Sequence, residues 1–223
     1  MTTRARAEAA YLAPRAAWAL GGVALLALGS AVLLGAHVGV DPFTSANIGV
    51  SARLGVGLGP YQLAVNAVLL VPVLVWGRHY VGLGTVINMV MVGFFVQWFS
   101  ALLAPVLPDP PGLLLQAALF VVGIVLFTAG ASAYMTAGIG TAPYDAIAPM
   151  VVDRTRARYR VVRVIQDLAF VGLAIAFGGP VGVGTVMTAF FAGPLIDFFN
   201  ERVNKPLLHR LLPAGGPREA RPR

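Results

Sequence analysis

Val81-Gly82-Leu83-Gly84-Thr85 returns as Val181-Gly182-Val183-Gly184-Thr185, and this recurrence decides how the chain is read. The offset is 100 (181 − 81), and Gly93, Gln97 and Phe99 come back at the same interval as Gly193, Asp197 and Phe199. Upstream, Gly22, Gly29, Gly39 and Pro42 recur as Gly123, Gly130, Gly140 and Pro143, now with an offset of 101 (123 − 22). The two stretches are copies of one unit. If each copy holds an odd number of membrane spans, the halves lie upside down relative to each other, as in many small secondary transporters.

Composition sets the class. A chain of 223 residues that is 58% hydrophobic and 11% charged, with mean hydropathy +0.80, is too apolar for a soluble domain. Its net charge of +7 does not point to nucleic acid, because the basic residues flank apolar runs instead of forming one patch. The absence of cysteine excludes disulfides, thiol catalysis and Cys-ligated metal. His37, His79 and His209 are scattered over different connections and assemble neither a metal set nor a triad. No cofactor is expected, and an enzyme is the least supported class.

Apolar runs lie at about 16–36, 60–77, 84–105, 113–136, 161–178 and 184–200, each near the roughly 20 residues that cross about 30 Å of hydrocarbon. The expected fold is an all-α membrane protein with six transmembrane helices as two inverted three-helix repeats. Residues 1–15 form a cytoplasmic N-terminal segment, 16–105 repeat 1, 106–112 a linker, 113–204 repeat 2, and 205–223 a basic cytoplasmic tail. Arg4, Arg6 and Arg15 precede the first run, which is too long for a signal-peptide core and is read as a retained helix. Pro108-Asp109-Pro110-Pro111 is a rigid turn between the halves, and the tail from Pro213 is expected to be disordered.

With the N-terminus in the cytoplasm, the Arg154, Arg156, Arg158, Arg160 and Arg163 cluster falls inside together with both termini and Arg78, and Arg53 alone falls outside. A five-span chain would export either that cluster or the tail. The expected location is therefore the bacterial inner membrane, multi-pass, both termini cytoplasmic. Trp18, Trp76 and Trp98 fall at predicted helix ends, as interfacial aromatics do. Ala27, Ala31 and Gly35, and Ala129, Ala133 and Ala137, repeat at four-residue spacing and predict close helix packing.

The connector after the first span of each copy reads Gly39-Val40-Asp41-Pro42-Phe43-Thr44-Ser45-Ala46 in one and Gly140-Thr141-Ala142-Pro143-Tyr144-Asp145-Ala146 in the other. Glycine ends a helix and proline opens the next. The segment that each proline opens is too short to span. It suits a half-helix whose free N-terminal amides meet an anion or a carboxylate, although a capped connector on the membrane surface, with Asp41 and Asp145 only capping, is the plainer reading of either loop alone. The Gly82–Thr85 and Gly182–Thr185 turns read as tight helical hairpins with the threonine capping the incoming helix.

Polar residues recur as pairs within the spans. Asn66 and Gln166 are equivalent, as are Asn88 and Thr188, while Gln62, Arg163 and Asp167 stand in one copy only. Uncompensated polar groups are costly in hydrocarbon, so these side chains face the bundle interior. Simple interhelical bonding, averaging below about 1 kcal/mol per contact, is the plainer role for each. Arg163 and Asp167, spaced i,i+4, form a local pair. Taken as a set, Phe43, Thr44, Asn66, Asn88, Tyr144, Asp145, Gln166, Asp167 and Thr188 are the candidate substrate-binding residues.

The run Gly39-Val-Asp-Pro-Phe, then Gly59-Pro-Tyr-Gln, then Gly82-Leu-Gly-Thr-Val-Ile-Asn-Met-Val-Met-Val-Gly-Phe-Phe and Gly138-Ile-Gly-Thr-Ala-Pro-Tyr-Asp resembles the YczE-like family of bacterial integral membrane proteins, related to YitT and YyaS, over residues 16–204. The resemblance implies a polytopic protein of the bacterial cell membrane and carries over no catalytic residue. Gln97 stands where copy two has Asp197, a position expected to be acidic in both halves. The function expected from these features is a small secondary transporter or permease of a small solute, with its site at the repeat interface. A non-transporting accessory or scaffold membrane protein is the alternative, favoured by the low intramembrane charge. The expected partners are the lipid bilayer and a small-molecule solute, with a homo-oligomer or a membrane partner open and no nucleic acid.

Overall fold

The computed structural model describes residues 3–212, all helix and connection. The order is α1 (Thr3–Gly35), α2 (Pro42–Leu54), α3 (Leu58–Trp76), α4 (Leu83–Leu103), α5 (Leu113–Thr136), α6 (Pro143–Arg154), α7 (Tyr159–Phe177) and α8 (Val183–Phe199), which runs through a π-helical turn at Asn200–Asn204 into α9 (Lys205–Leu211). From α1 to α4 and again from α5 to α8, a long helix is followed by a short one and then by two of intermediate length. The short ones, with 13 and 12 residues, rise only about 20 Å.

Local chemistry starts and stops the short helices. Pro42 and Pro143 open them at the position where a missing N–H costs nothing. The Asp41 carboxylate accepts from the Thr44 amide at 3.0 Å and caps α2, which ends at Gly55 in the left-handed region (φ 67°). Thr85 and Thr185 act one turn inside their helices, where each hydroxyl accepts from the amide of the preceding Gly82 or Gly182 at 3.0 and 3.2 Å. They close the hairpin turns from within, not from the expected cap position.

The frame is the crossing of α1 and α5. A Cβ added at Gly29 would lie 2.3 Å from the Phe127 nitrogen, and one at Gly130 would lie 2.2 Å from the Leu26 nitrogen, so backbone rests on backbone here. Gly22 faces Gly130 and Gly29 faces Gly123, so the two helices run antiparallel. The same register continues outward. The Arg15 guanidinium donates to the Ala137 carbonyl at 2.9 Å, and the Gln116 amide donates to the Ala36 carbonyl at 2.8 Å. Each bond satisfies a carbonyl that a helix C-terminus leaves without a partner. The close approach expected from the alanine spacing is real, but glycines carry it; Ala27, Ala31, Ala133 and Ala137 are buried around the crossing, while Gly35 faces the Leu107 side chain. At Gly22, Gly29 and Gly130 the seam is reduced to backbone thickness and leaves no room for an added side chain.

The connectors dock across the halves in the same reciprocal way. The Gly184 amide donates to the Val38 carbonyl at 2.7 Å, and the Gly84 amide donates to the Ile139 carbonyl at 2.8 Å. Contacts sort the connections into two ends: His37 meets Asp109 and Ser45 meets Pro180 at one, whereas Tyr80 and His79 meet Asp153 and Thr141 meets Tyr80 at the other. Since α7 leaves the second end after Arg154 and finishes at Phe177 beside Gly49, it traverses the whole bundle.

Among the described residues, five helices are long and apolar enough to cross a membrane: Glu8–Gly35, Leu58–Trp76, Leu83–Leu103, Leu113–Thr136 and Val183–Leu211. The remaining long helix, α7, matches α3 in length at 19 residues but carries Arg160, Arg163 and Asp167. The exterior is apolar, with Val68 69%, Leu113 82% and Leu114 86% exposed, so the bilayer is the solvent these faces meet. Because α1 reaches back to Thr3, Trp18 lies inside it, while Trp76 closes α3 as expected. The tail from Pro213, expected to be disordered, lies outside the described residues.

Ala substituted at Gly29 or Gly130 forces α1 and α5 apart and should destabilise the bundle by about 1–3 kcal/mol. At Gly21, where an added Cβ meets nothing within 4 Å, the same change should leave stability equal or slightly raised. Thermal unfolding of the purified protein in detergent reads both outcomes.

Candidate functional site

The first turns of α2 and α6 converge on one cavity of about 810 Å³, walled also by α3, α4, α5, α7 and α8. Phe43 and Tyr144, the second residues of the two half-helices, stack there with ring centroids 4.5 Å apart, and Phe170 of α7 packs edge-on to Tyr144 at 5.0 Å. The aromatic stack thus ties both helix N-termini to one point. Val92, Phe127 and Ala192 supply an apolar wall.

An ion network holds the α6–α7 side. Arg163 donates from Nη1 to Asp145 Oδ1 at 3.1 Å and from Nε to Asp167 Oδ2 at 3.3 Å. The Tyr134 hydroxyl donates to Asp145, and the Tyr144 hydroxyl donates to Asp167 Oδ1 at 2.5 Å. The guanidinium also lies over the Tyr144 ring, 4.9 Å from its centroid. Every carboxylate oxygen of Asp145 and Asp167 therefore has a donor, as buried charges require.

Of the residues singled out from the sequence, Phe43, Thr44, Asn66, Asn88, Tyr144, Asp145, Asp167 and Thr188 all line this cavity. Gln166 does not. It lies behind the wall and donates to the Tyr144 carbonyl at 2.8 Å, bracing α6 against α7. Thr188 bonds back to the Gly184 carbonyl at 2.9 Å within its own helix. Asp41, Gln62, Tyr134 and Arg163 also line the cavity and were not among the candidates. Asp41 does cap α2, as its position before a proline indicates, yet its second oxygen is free of that bond. The partnership of Arg163 extends beyond the expected Asp167 to Asp145, which no i,i+4 rule reaches.

Among the described residues, four buried polar atoms on the cavity wall have no hydrogen-bond partner: Asp41 Oδ2, Gln62 Oε1, Asn66 Oδ1 and Asn66 Nδ2. Gln62 and Asn66 are each only 1% exposed and share one face of α3. An unpaired buried polar group costs about 1–3 kcal/mol, so this cluster is expensive unless something else satisfies it. On α7, by contrast, Arg163 and Asp167 turn inward while Val161, Ile165 and Ile175 are more than half exposed. Polar inside and apolar outside is the pattern of a helix between a polar cavity and lipid. Among the described residues no group of three or more His, Cys, Asp or Glu could hold a metal ion.

An apolar helical exterior around a cavity that holds charged and amide side chains defines a polytopic membrane protein. The chain belongs to the family described as a family of unknown function (DUF6198), whose pattern it matches over residues 13–201. It is 28% identical over 178 residues to the uncharacterized membrane protein YczE of Bacillus subtilis, covering 79% of this chain and 81% of that one. The protein YyaS of the same organism is 24% identical over 190 residues, 85% and 94% of the two chains, and an uncharacterized protein of Haemophilus influenzae is 26% identical over 179 residues, 79% of each. No solved structure matches the chain. The resemblance to YczE-like proteins read from the glycine motifs therefore holds over most of the chain.

Replacing Arg163 by Leu leaves two carboxylates facing each other without a counter-ion. The expected loss lies toward the lower end of the roughly 3–5 kcal/mol typical of a broken buried pair, because Arg163 keeps 30% of its side chain exposed. Adding Asp167→Asn should restore part of that loss, a coupling that a double-mutant cycle of unfolding measurements quantifies.

Proposed function

We propose that the protein is a small secondary transporter or permease whose solute binds at the interface of two inverted three-helix repeats. The observation that carries this reading is the set of unpartnered amide and carboxylate atoms of Asp41, Gln62 and Asn66 on the wall of a cavity reached by two half-helix N-termini. Such atoms are tolerated where a solute or water completes them in turn. A cavity of about 810 Å³ also falls within the range of small-molecule sites, roughly 300–1,000 Å³.

Several features support the inverted arrangement. The antiparallel seam of α1 and α5, the paired bonds of Arg15 and Gln116, and the crosswise docking of Val38 and Ile139 are what a two-fold axis between the halves requires. For six spans, the support is the course of α7 from one end of the bundle to the other with its apolar side outward. In this reading the α6 end, with Arg154, Arg156 and Arg158, is cytoplasmic, as are both termini.

In the cysteine-free chain, Arg156→Cys should react with an impermeant maleimide only after cells are opened, whereas Arg53→Cys should react from outside. Labelling of position 156 in intact cells rejects the six-span topology. The transport test is Asn66→Leu. Because neither polar atom of Asn66 has a partner, the substitution should leave thermal stability equal or raised while removing solute flux into reconstituted vesicles. An amide that merely held helices together would give the reverse, a lower unfolding temperature with flux intact.

A further inference from the structure

The charges around the cavity do not balance. Asp41, Asp145 and Asp167 face it against the single guanidinium of Arg163, while Arg160 and Asp197 at the exposed rim cancel each other. Counted formally, three carboxyl groups stand against one guanidinium in a largely apolar surround, where uncompensated charge is costly.

The positive groups are already committed. Arg163 is held by two carboxylates and rests on the Tyr144 ring, so its charge is already met by the chain's own acids before any solute arrives. The two half-helix N-termini, which would ordinarily attract an anion, are met by the chain's own acids: Asp41 at the cap of α2 and Asp145 in the first turn of α6. Among the acids, Asp145 and Asp167 have both oxygens occupied by a tyrosine hydroxyl and Arg163. Asp41 differs. Its Oδ1 takes the Thr44 amide, and its Oδ2 is buried without a partner. The carbonyl oxygens of Gln62 and Asn66, each on a side chain only 1% exposed, are two more unpartnered acceptors on the cavity wall, beside one unpartnered donor, Asn66 Nδ2.

We infer that this cavity takes a small amphiphilic cation, a primary ammonium on an apolar body, with its head on Asp41 and the α3 amides and its body against Val92 and Phe127. The chemistry is complementary: an ammonium carries three donors and no acceptor, and the unpartnered atoms are three acceptors, Asp41 Oδ2, Gln62 Oε1 and Asn66 Oδ1, against the one donor Asn66 Nδ2. The inference rests on the same cavity that is proposed above as the transport site. It specifies what that site selects.

The test is equilibrium binding to the full-length purified protein. The probes are 2-phenylethylammonium, 3-phenylpropionate and 2-phenylethanol, which share a body and differ in head charge. Only the ammonium should raise the unfolding temperature and give a binding isotherm. Asp41→Asn keeps a side chain that caps α2 equally well, so the free protein should unfold as before while ammonium affinity falls by about tenfold or more. If Asp41→Asn proves unstable, Gln62→Leu, which removes an acceptor that has no internal partner, should still weaken the ammonium by several-fold. Equal or tighter binding of the carboxylate or the alcohol, no binding of the ammonium, or full affinity in the folded variant overturns the assignment. Flux is read separately with the labelled probes in vesicles. Ammonium binding without flux rejects the carrier and keeps the cation site; flux of the carboxylate keeps the carrier and rejects the cation.

Discussion

The contact of α1 with α5 at Gly22, Gly29, Gly123 and Gly130 is the constraint on which the rest of the structure depends. In lipid there is little hydrophobic drive for helices to associate, so packing must come from close van der Waals approach, and glycine is the residue that permits it. With two backbones in contact, their separation and register have almost no freedom. The connectors leaving each helix then arrive opposite the hairpin turns of the other half, where Val38 and Ile139 find the amides of Gly184 and Gly84. That docking in turn sets where α2 and α6 begin, and so where Phe43 meets Tyr144. A site several helices wide is positioned by four missing side chains.

Reciprocal contacts in the scaffold coexist with an asymmetric distribution of charge. Copy two carries Tyr134, Asp145, Arg163 and Asp167 where copy one has Leu33, Thr44, Leu63 and Ala67, and copy one carries Asp41 where copy two has Ala142. One wall is thus a saturated ion network and the other holds a carboxylate and two amides with bonding capacity to spare. The saturated contacts and the spare bonding capacity thus fall on different copies of the repeated sequence. The saturated wall resists change, since each of its members leaves a buried charge behind when removed.

Much of this was legible in the sequence because glycine and proline act locally. Gly39 with Pro42, and Gly140 with Pro143, mark the half-helices without reference to anything distant, and the intervals between glycines reveal the duplication directly. The polar candidates on α3, α4 and the half-helices reach the cavity for a similarly simple reason: hydrocarbon leaves them nowhere else to go. What could not be read was partnership across the fold. Gln166 is the repeat equivalent of Asn66, yet a carbonyl from α6 lies within its reach and draws it behind the wall. Arg163 looked sufficient for Asp167 by helical spacing, but Asp145 enters from another helix, and Tyr134 from a third. Alanine spacing indicated the packing face, where Ala27, Ala31, Ala133 and Ala137 are indeed buried, but only the three-dimensional register shows that the glycines make the backbone contact.

Arg15 and Gln116 perform one task at opposite ends of the seam, each donating to the last free carbonyl of the facing helix. A neutral amide reaches that carbonyl at nearly the same distance as a guanidinium does, 2.8 against 2.9 Å, so geometry alone gives no reason for the chain to use both. Insertion does. In the inverted-repeat arrangement proposed above, the bundle offers the translocation machinery two equivalent ways in, and a fixed cation at one end of the seam, with a neutral amide at the other, breaks that degeneracy. On that proposal, the exchange of one donor for another at matched positions gives an object with no inherent up or down a mark by which the membrane can orient it.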